Sequence, residues 1–200
     1  MKSLSSALRV TLLATALFST SGMLAHADEL TQPISKGAYE LAFSPSDDTL
    51  FLAASQGSDA SGGAVFRLDP QNLAIKQTIP TELKSFGAAI NPQTNVLYIG
   101  NTLNGALTAI DAVSGKVLNT LVLDGRQRGD SVRPLQPREI AVDVKTNRVY
   151  VTGLGPQSVV WVVDGKTLQL LSVVPNTGKM ATGLAVDSER QKLYVTNADG

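Results

Sequence analysis

Four segments of the chain repeat one pattern of small and aromatic residues. In each copy an alanine stands nine positions before an aromatic residue, at Ala42 and Phe51, Ala89 and Tyr98, Ala141 and Tyr150, and Ala185 and Tyr194. The aromatic residues recur after 47, 52 and 44 residues, a period that is typical of propellers and other repeat arrays. A repeat of this length constrains the fold, because each unit must bury its apolar face against the next unit.

Each copy of the repeat predicts β-strands. A short apolar run ends in turn residues such as SPSDD or NPQTN, and a second run that carries the aromatic residue follows. A third run ends at an aspartate (Asp69, Asp111 or Asp164), and a turn then leads to a fourth. We therefore predict an all-β fold, a β-propeller of four-stranded antiparallel blades. Three and a half blades are expected, at about residues 37–80, 85–123, 137–175 and, incompletely, 181–200.

The alanine and the aromatic residue of each copy have different predicted positions. The strand nearest the propeller axis has little room, which favours the alanine there. The aromatic residue, one strand further out, is expected to fill the space between neighbouring blades, where its burial stabilises the fold by about 1.5–3 kcal/mol. We expect the same inter-blade position for Trp161.

The first 27 residues have the pattern of a secretory signal peptide. Lys2 and Arg9 precede the apolar run VTLLATALF, and small residues at Ala25 and Ala27 suit cleavage after Ala27. No later segment approaches the roughly eighteen continuous apolar residues of a membrane-spanning helix. We therefore expect export to the periplasm without membrane insertion after cleavage, and residues 28–200 as part of one propeller domain.

Composition excludes several kinds of chemistry. The one histidine, His26, lies in the predicted leader, and the chain has no cysteine. Residues 28–200 therefore lack the side chains for a Ser-His-Asp or Cys-His site, a His-ligated metal or a disulfide. Basic and acidic residues number seventeen each, so no overall field attracts nucleic acid or membrane. No cofactor is expected.

The second strand of the later copies carries a recognisable motif. It reads LYIGN, VYVTG and LYVTN, which resembles the YVTN repeat, and the longer stretches RPLQPRE, VVWVVDG and NTGKMATGLAVDS extend the likeness. The chain resembles the N-terminal half of YncE-like exported β-propellers. This resemblance implies a ring of about seven blades. Because three and a half blades cannot close a ring, we expect the 200 residues to be part of a longer polypeptide.

The connection between blades 2 and 3 is a candidate binding loop. The stretch GRQRGDSVRPLQPRE is longer than the connection between blades 1 and 2 and gathers four arginines, Arg126, Arg128, Arg133 and Arg138. Two prolines stiffen its exit. The planar guanidinium of arginine suits a phosphate or a carboxylate.

Loops that lead into the innermost strands should meet at one mouth of the central channel. Glu40 and Glu139 stand two residues before their repeat alanines, and Lys179 precedes the innermost strand of blade 4. We predict that these residues and the four arginines form a partner-binding site without catalytic or metal-binding residues. The predicted function is a non-catalytic binding or interaction protein with an anionic ligand or protein partner of unknown identity.

Three alternatives stay open. The arginines could simply pair with Asp124, Asp130 and Glu139 in a solvated loop, or the loop could bind a single nucleic-acid strand. A lactonase-like, metal-dependent hydrolase would instead use Glu40, Glu139, Asn101 and Asn197 as oxygen ligands for Ca²⁺. Against this, both asparagines follow the second strand of a blade, and we expect that turn near the end opposite to the glutamates.

Overall fold

The computed structural model describes residues 29–127, 129 and 131–200, and these form fourteen strands. Blade 1 contains β1 (Ala38–Ser44), β2 (Thr49–Ala54), β3 (Gly63–Leu68) and β4 (Ile75–Thr81). Blade 2 contains β5 (Ala88–Asn91), β6 (Val96–Asn101), β7 (Ala106–Asp111) and β8 (Val117–Val122). Blade 3 contains β9 (Gln136–Asp143), β10 (Arg148–Leu154), β11 (Val159–Asp164) and β12 (Leu170–Val174). Blade 4 contains β13 (Ala181–Asp187) and β14 (Lys192–Asn197).

All strand pairs are antiparallel, and the three complete sheets have their strands in sequence order. This confirms the predicted all-β fold and its four-stranded blades. None of the residues that the structure describes forms a helix of the length and hydropathy needed to cross a membrane. The predicted leader, residues 1–27, lies outside the described part of the chain.

The turn between the first and second strands has one conformation in all four blades. It ends at a residue with positive φ, and these residues are Asp48, Asn95, Asn147 and Gln191. Asparagine and aspartate tolerate this left-handed region better than other non-glycine residues. The turn after the third strand is equally regular, because Asp69, Asp111 and Asp164 each accept hydrogen bonds from backbone amides of their own turn. These aspartates therefore have a structural role in the turn.

The innermost strands lie side by side around the axis. β1 contacts β5, β5 contacts β9, and β9 contacts β13. Each repeat alanine pairs with its aromatic residue in the same register, as Ala42 with Phe51, Ala89 with Tyr98, Ala141 with Tyr150, and Ala185 with Tyr194. The four copies of the repeat are therefore equivalent wedges of one propeller.

The aromatic residue of each blade faces the following blade. Phe51 and Tyr98 are fully buried in the cores between blades 1 and 2 and between blades 2 and 3, and Trp161 packs into the second of these cores. Tyr150 is half-buried, and Tyr194 is 52% exposed. No described strand follows β14, so the inter-blade position of Tyr194 stays a prediction.

A side chain of one blade also donates hydrogen bonds to backbone carbonyls of the next blade, and a different residue does so in each of the first two blades. The Arg67 guanidinium of blade 1 stacks on Phe51 and donates to the backbone carbonyls of Ala112 and Val113 in blade 2. In the next pair of blades the cross-strand neighbour of the aromatic residue is the smaller Ala109. There the Tyr98 hydroxyl donates to the carbonyl of Gly165 in blade 3 at 2.7 Å.

Candidate functional site at one end of the propeller

The loops that precede the innermost strands share one end of the propeller with the loops that follow the second strands. Ala88 at the start of β5 pairs with Ile99 near the end of β6, and the Phe86 N–H donates to the Gly100 carbonyl at 3.0 Å. The expectation that Asn101 and Asn197 lie at the opposite end from the glutamates is therefore wrong. In an antiparallel hairpin the second strand returns to the end where the first one began.

The Asn101 side chain is nevertheless engaged inside the protein. Its side chain is fully buried; the amide nitrogen donates to the Lys84 carbonyl at 3.2 Å, and the amide oxygen accepts from the Thr108 hydroxyl at 2.7 Å. Among the described residues no group of three Asp, Glu, His or Cys side chains is arranged to hold a metal ion. Of the oxygen donors that a lactonase-like site would use, the Asn101 amide is thus already engaged inside the protein.

Glu40 and Glu139 come together at the channel mouth across the first strand of blade 2. Glu40 Oε2 accepts a hydrogen bond from the Ala88 N–H at 3.1 Å. Gly87 lies between the two blades that carry the glutamates, and a Cβ there would lie 3.3 Å from Glu40 Oε2 and 2.8 Å from the Arg138 carbonyl oxygen. A side chain at position 87 would push into this contact, so the glycine leaves room for the carboxylate.

The environment of the two carboxyls favours their protonated forms. Burial is the larger cause that raises the pKa of Glu40 to about 7, and the negative charge of Glu139 adds to it, while the Ala88 N–H opposes it. Burial also raises the pKa of Glu139, and the neighbouring Arg138 guanidinium opposes that shift. The mouth thus has a carboxyl that titrates near neutral pH.

Arg138 belongs to this channel mouth and not to the outer part of its loop. Its guanidinium lies over the Tyr39 ring, 4.9 Å from the ring centroid, and Tyr39 contacts the Phe86 ring edge-on at 5.3 Å. Sequence reasoning assigned no role to the two aromatic residues. A signal was present, because both stand three residues before a repeat alanine, the position that Arg138 has in blade 3.

Arg126 is held locally by Asp124. Its Nε donates to both carboxylate oxygens, at 2.9 and 3.0 Å, and its Nη2 contacts Oδ2. Asp124 Oδ2 also accepts from the Leu135 N–H at 2.7 Å, so one carboxylate ties together the two ends of the loop. These bonds, with that from Arg126 the strongest, lower the pKa of Asp124. For Arg126 the structure agrees with the local-pairing alternative.

A cavity of about 570 Å³ lies between the arginine loop and blade 3. Arg126 and Arg133 line it together with residues of the loops at the same end of blade 3, among them Pro156 and Asn176. Arg133 is exposed, and no described carboxylate forms an ion pair with it. Sequence reasoning missed the blade 3 residues of this cavity, since their Pro-containing turns resemble ordinary hairpin connections.

The predicted site residues thus occupy two neighbouring places. Glu40, Arg138 and Glu139 lie at the channel mouth, and Arg126 and Arg133 lie at the cavity further out. Lys179 is exposed and lies two residues before β13. Arg128 lies outside the described residues. The binding role of all seven residues remains a prediction.

Comparison with known proteins shows strong sequence similarity to one group. The chain is 53% identical over 190 residues to the uncharacterized protein YncE of Salmonella typhi, covering 94% of this chain and 53% of the relative. It is 51% identical over 199 residues to YncE of Escherichia coli strain K12, covering 98% and 56%. The chain therefore spans about half the length of the curated relatives it matches. No protein-family model matches it.

Solved structures share the fold at low sequence identity. Hydrazine synthase of Kuenenia stuttgartiensis matches 89% of this chain and 46% of its own, with a TM-score of 0.67 and 15% identity. The WD40 repeats of RRP9 match 84% of this chain and 53% of their own, with a TM-score of 0.63 and 13% identity. At such identities the likeness shows the β-propeller fold alone.

Proposed function

Because the chain is a YncE-like β-propeller, we propose that it is a non-catalytic binding protein of the periplasm. It engages an anionic partner at the propeller end that carries the channel mouth and the arginine loop. The observation that carries this proposal is the cavity of about 570 Å³ with the exposed guanidinium of Arg133 on its wall, which no carboxylate among the described residues neutralises. A guanidinium without a carboxylate partner is a ready donor to a carboxylate or phosphate.

A second cation supports an anionic partner at the same end of the molecule. The Arg138 guanidinium is held over the Tyr39 ring, so the aromatic face fixes its position without neutralising its charge. Arg126 contributes less, because Asp124 already balances it. The anion-binding groups of this proposal are therefore Arg133 and Arg138, with Lys179 as a further exposed cation.

The residue types present support the proposed non-catalytic role. Residues 28–200 contain no histidine or cysteine, and the Asn101 amide that a lactonase-like site would use is buried and takes part in two internal hydrogen bonds. The Glu40–Glu139 pair remains as a candidate acid or base, since burial raises the pKa of both carboxyls. The periplasmic location rests on the leader pattern of residues 1–27, and N-terminal sequencing of the exported protein should give Asp28 as the first residue.

Binding of anionic probes tests the proposal. The purified protein is titrated with labelled oligoglutamate, labelled oligothymidine and octanoate, and compared with the double variant Arg133→Gln, Arg138→Gln. We expect at least one probe to bind and to lose about tenfold or more in affinity in the variant, since charge-assisted hydrogen bonds are worth about 1.5–3 kcal/mol each. Arg190→Gln is the matched control, because Arg190 is an exposed arginine in the β13–β14 turn at the other end of its blade.

Two outcomes would refute an anionic partner. One is that no probe binds, and the other is that every probe binds the double variant as tightly as the parent protein. Salt dependence identifies a nucleic-acid partner: if the four loop arginines each neutralise a phosphate of a single strand, log K falls with log salt at a slope of about −2.8.

A further inference from the structure

The cavity beside the arginine loop lies between two walls. One wall is the loop between blades 2 and 3, and the opposite wall comes from the β10–β11 loop and the segment after β12. Leu135 packs so closely over Gly155 that a Cβ on the glycine would lie 2.4 Å from Leu135 Cδ2. Prolines at 156 and 175 restrict the backbone of the blade 3 wall. A cavity held in this way is pre-organised, which lowers the entropic cost of binding.

The lining of the cavity combines an apolar wall with few polar groups. Val132, Leu135, Pro156, Val159 and Pro175 supply the apolar surface. The remaining lining residues are polar or charged: Arg126, Ser131, Arg133, Gln157 and Asn176. Its volume of about 570 Å³ lies within the range of roughly 300–1,000 Å³ that small-molecule sites occupy. The occupant that fits has an apolar body and a small polar head.

Among the described lining residues, one positively charged side chain is left without a neighbouring negative charge. The Arg126 guanidinium binds both oxygens of Asp124, so its charge is balanced. Arg133 is exposed and has no ion-pair partner among the described carboxylates. One un-neutralised guanidinium matches one carboxylate in bidentate geometry. A polyanion binds tightly where several cations in a row displace its counterions, so a single cation does not favour a polyanion.

We propose that this cavity binds a small organic monocarboxylate with an apolar body. Its carboxylate lies on the Arg133 guanidinium, and its body lies between Val132 and Leu135 of the loop wall and Pro156 of the blade 3 wall. The inference rests on the proposed function, since it names the ligand class of the anionic partner. Both parts of the ligand are needed: a bare anion leaves the apolar wall in water, and a neutral apolar molecule leaves the guanidinium unpaired.

The test compares ligands that differ in one part at a time. The purified protein is titrated calorimetrically with octanoate, with acetate, which lacks the apolar body, and with 1-octanol, which lacks the charge. We expect octanoate to bind at least tenfold more tightly than either partial ligand. Arg133→Gln should weaken octanoate about tenfold or more, since it removes a charge-assisted pair, and should leave 1-octanol unchanged. Arg190→Gln should alter neither affinity.

A second variant guards against an effect of Arg133 on the loop conformation. Gln157→Trp places a bulky side chain at an exposed position of the blade 3 wall. It should abolish octanoate binding while the midpoint of urea unfolding stays close to that of the parent protein. Octanoate that binds no better than acetate, or that binds both variants like the parent, overturns the inference. If oligothymidine or oligoglutamate binds in an arginine-dependent manner and octanoate does not, the anionic partner stands and the monocarboxylate is refuted. If no anion binds, both fail.

Discussion

The substitution Glu40→Gln changes the electrostatics of the channel mouth with little change of shape. In the folded protein burial, with a smaller contribution from the charge of Glu139, raises the pKa of Glu40 from 4.5 to about 7. Between these two pH values the folded state binds more protons at this carboxyl than the unfolded state does. The free energy of unfolding therefore falls as the pH rises from about 4.5 to about 7 and is level above that window.

The magnitude follows from the same two pKa values. Their difference corresponds to about 3 kcal/mol for a group shielded from solvent. Because Glu40 is only half-buried, solvent screening reduces this cost, and we expect about 1–2 kcal/mol. Glutamine removes the ionisable group and keeps an oxygen that accepts from the Ala88 N–H. The variant should therefore be more stable than the parent by about 1–2 kcal/mol at pH 8, and equally stable near pH 4.5.

Urea unfolding followed by the fluorescence of Trp161 measures this difference, because Trp161 is the one tryptophan of the chain and is buried between blades 2 and 3. In thermal melts the gain at pH 8 should appear as a rise of about 2–8 °C. Glu82→Gln is the control, since Glu82 is an exposed carboxylate for which no described ion pair is present. Parallel pH profiles for the parent and the Glu40 variant would refute the reasoning. So would an equal stabilisation at both pH values.

Three further predictions concern the contacts between and beside the blades. Tyr98→Phe should lower the free energy of unfolding by about 1–3 kcal/mol in urea titrations, because it leaves the buried Gly165 carbonyl without its donor. Adding Ala109→Arg to that variant should restore part of the loss, since it recreates the phenylalanine–arginine pair of blade 1; no recovery would contradict the equivalence of the two arrangements. Arg67→Met should cost about 1–3 kcal/mol by the same measurement, because two carbonyls of blade 2 lose a guanidinium. Arg126→Gln should change stability by less than about 1 kcal/mol, as expected for an exposed ion pair, and a larger loss would mean that this pair determines the loop conformation.

The β-propeller fold could be predicted from the sequence because the same spacing from alanine to aromatic residue occurs four times. A single short apolar run is ambiguous between strand and helix. Four copies with one spacing from alanine to aromatic residue fix the pairing register, and the structure has that register in every blade. The turn residues are also informative, since Asn95 and Asn147 occupy the positive-φ position that asparagine tolerates.

The candidate site was less predictable, because it lies where the repeat ends. Nothing in the spacing of the four arginines shows that Asp124 holds Arg126 and the Leu135 amide at once. That contact balances the charge of Arg126, whereas Arg133 lines the outer cavity and Arg138 lies over the Tyr39 ring at the mouth. The position of Asn101 was a different kind of error, since antiparallel geometry alone places the end of the second strand beside the start of the first.

The position two residues before each repeat alanine varies between blades, whereas the alanine does not. The alanine itself is the same in all four copies, as expected of a position that only has to fit a narrow space. Two residues earlier the chain alternates between carboxylate and glycine, as Glu40, Gly87, Glu139 and Gly183. Carboxylates in all four positions would place like charges on adjacent strands. These charges would repel each other, and the half-buried mouth would screen their repulsion poorly. The intervening Gly87 both separates the two charges and leaves the space in which Glu40 reaches the Ala88 amide. The alternation therefore lets one ring hold two carboxyls with raised pKa values, a property that uniform packing would neither require nor produce.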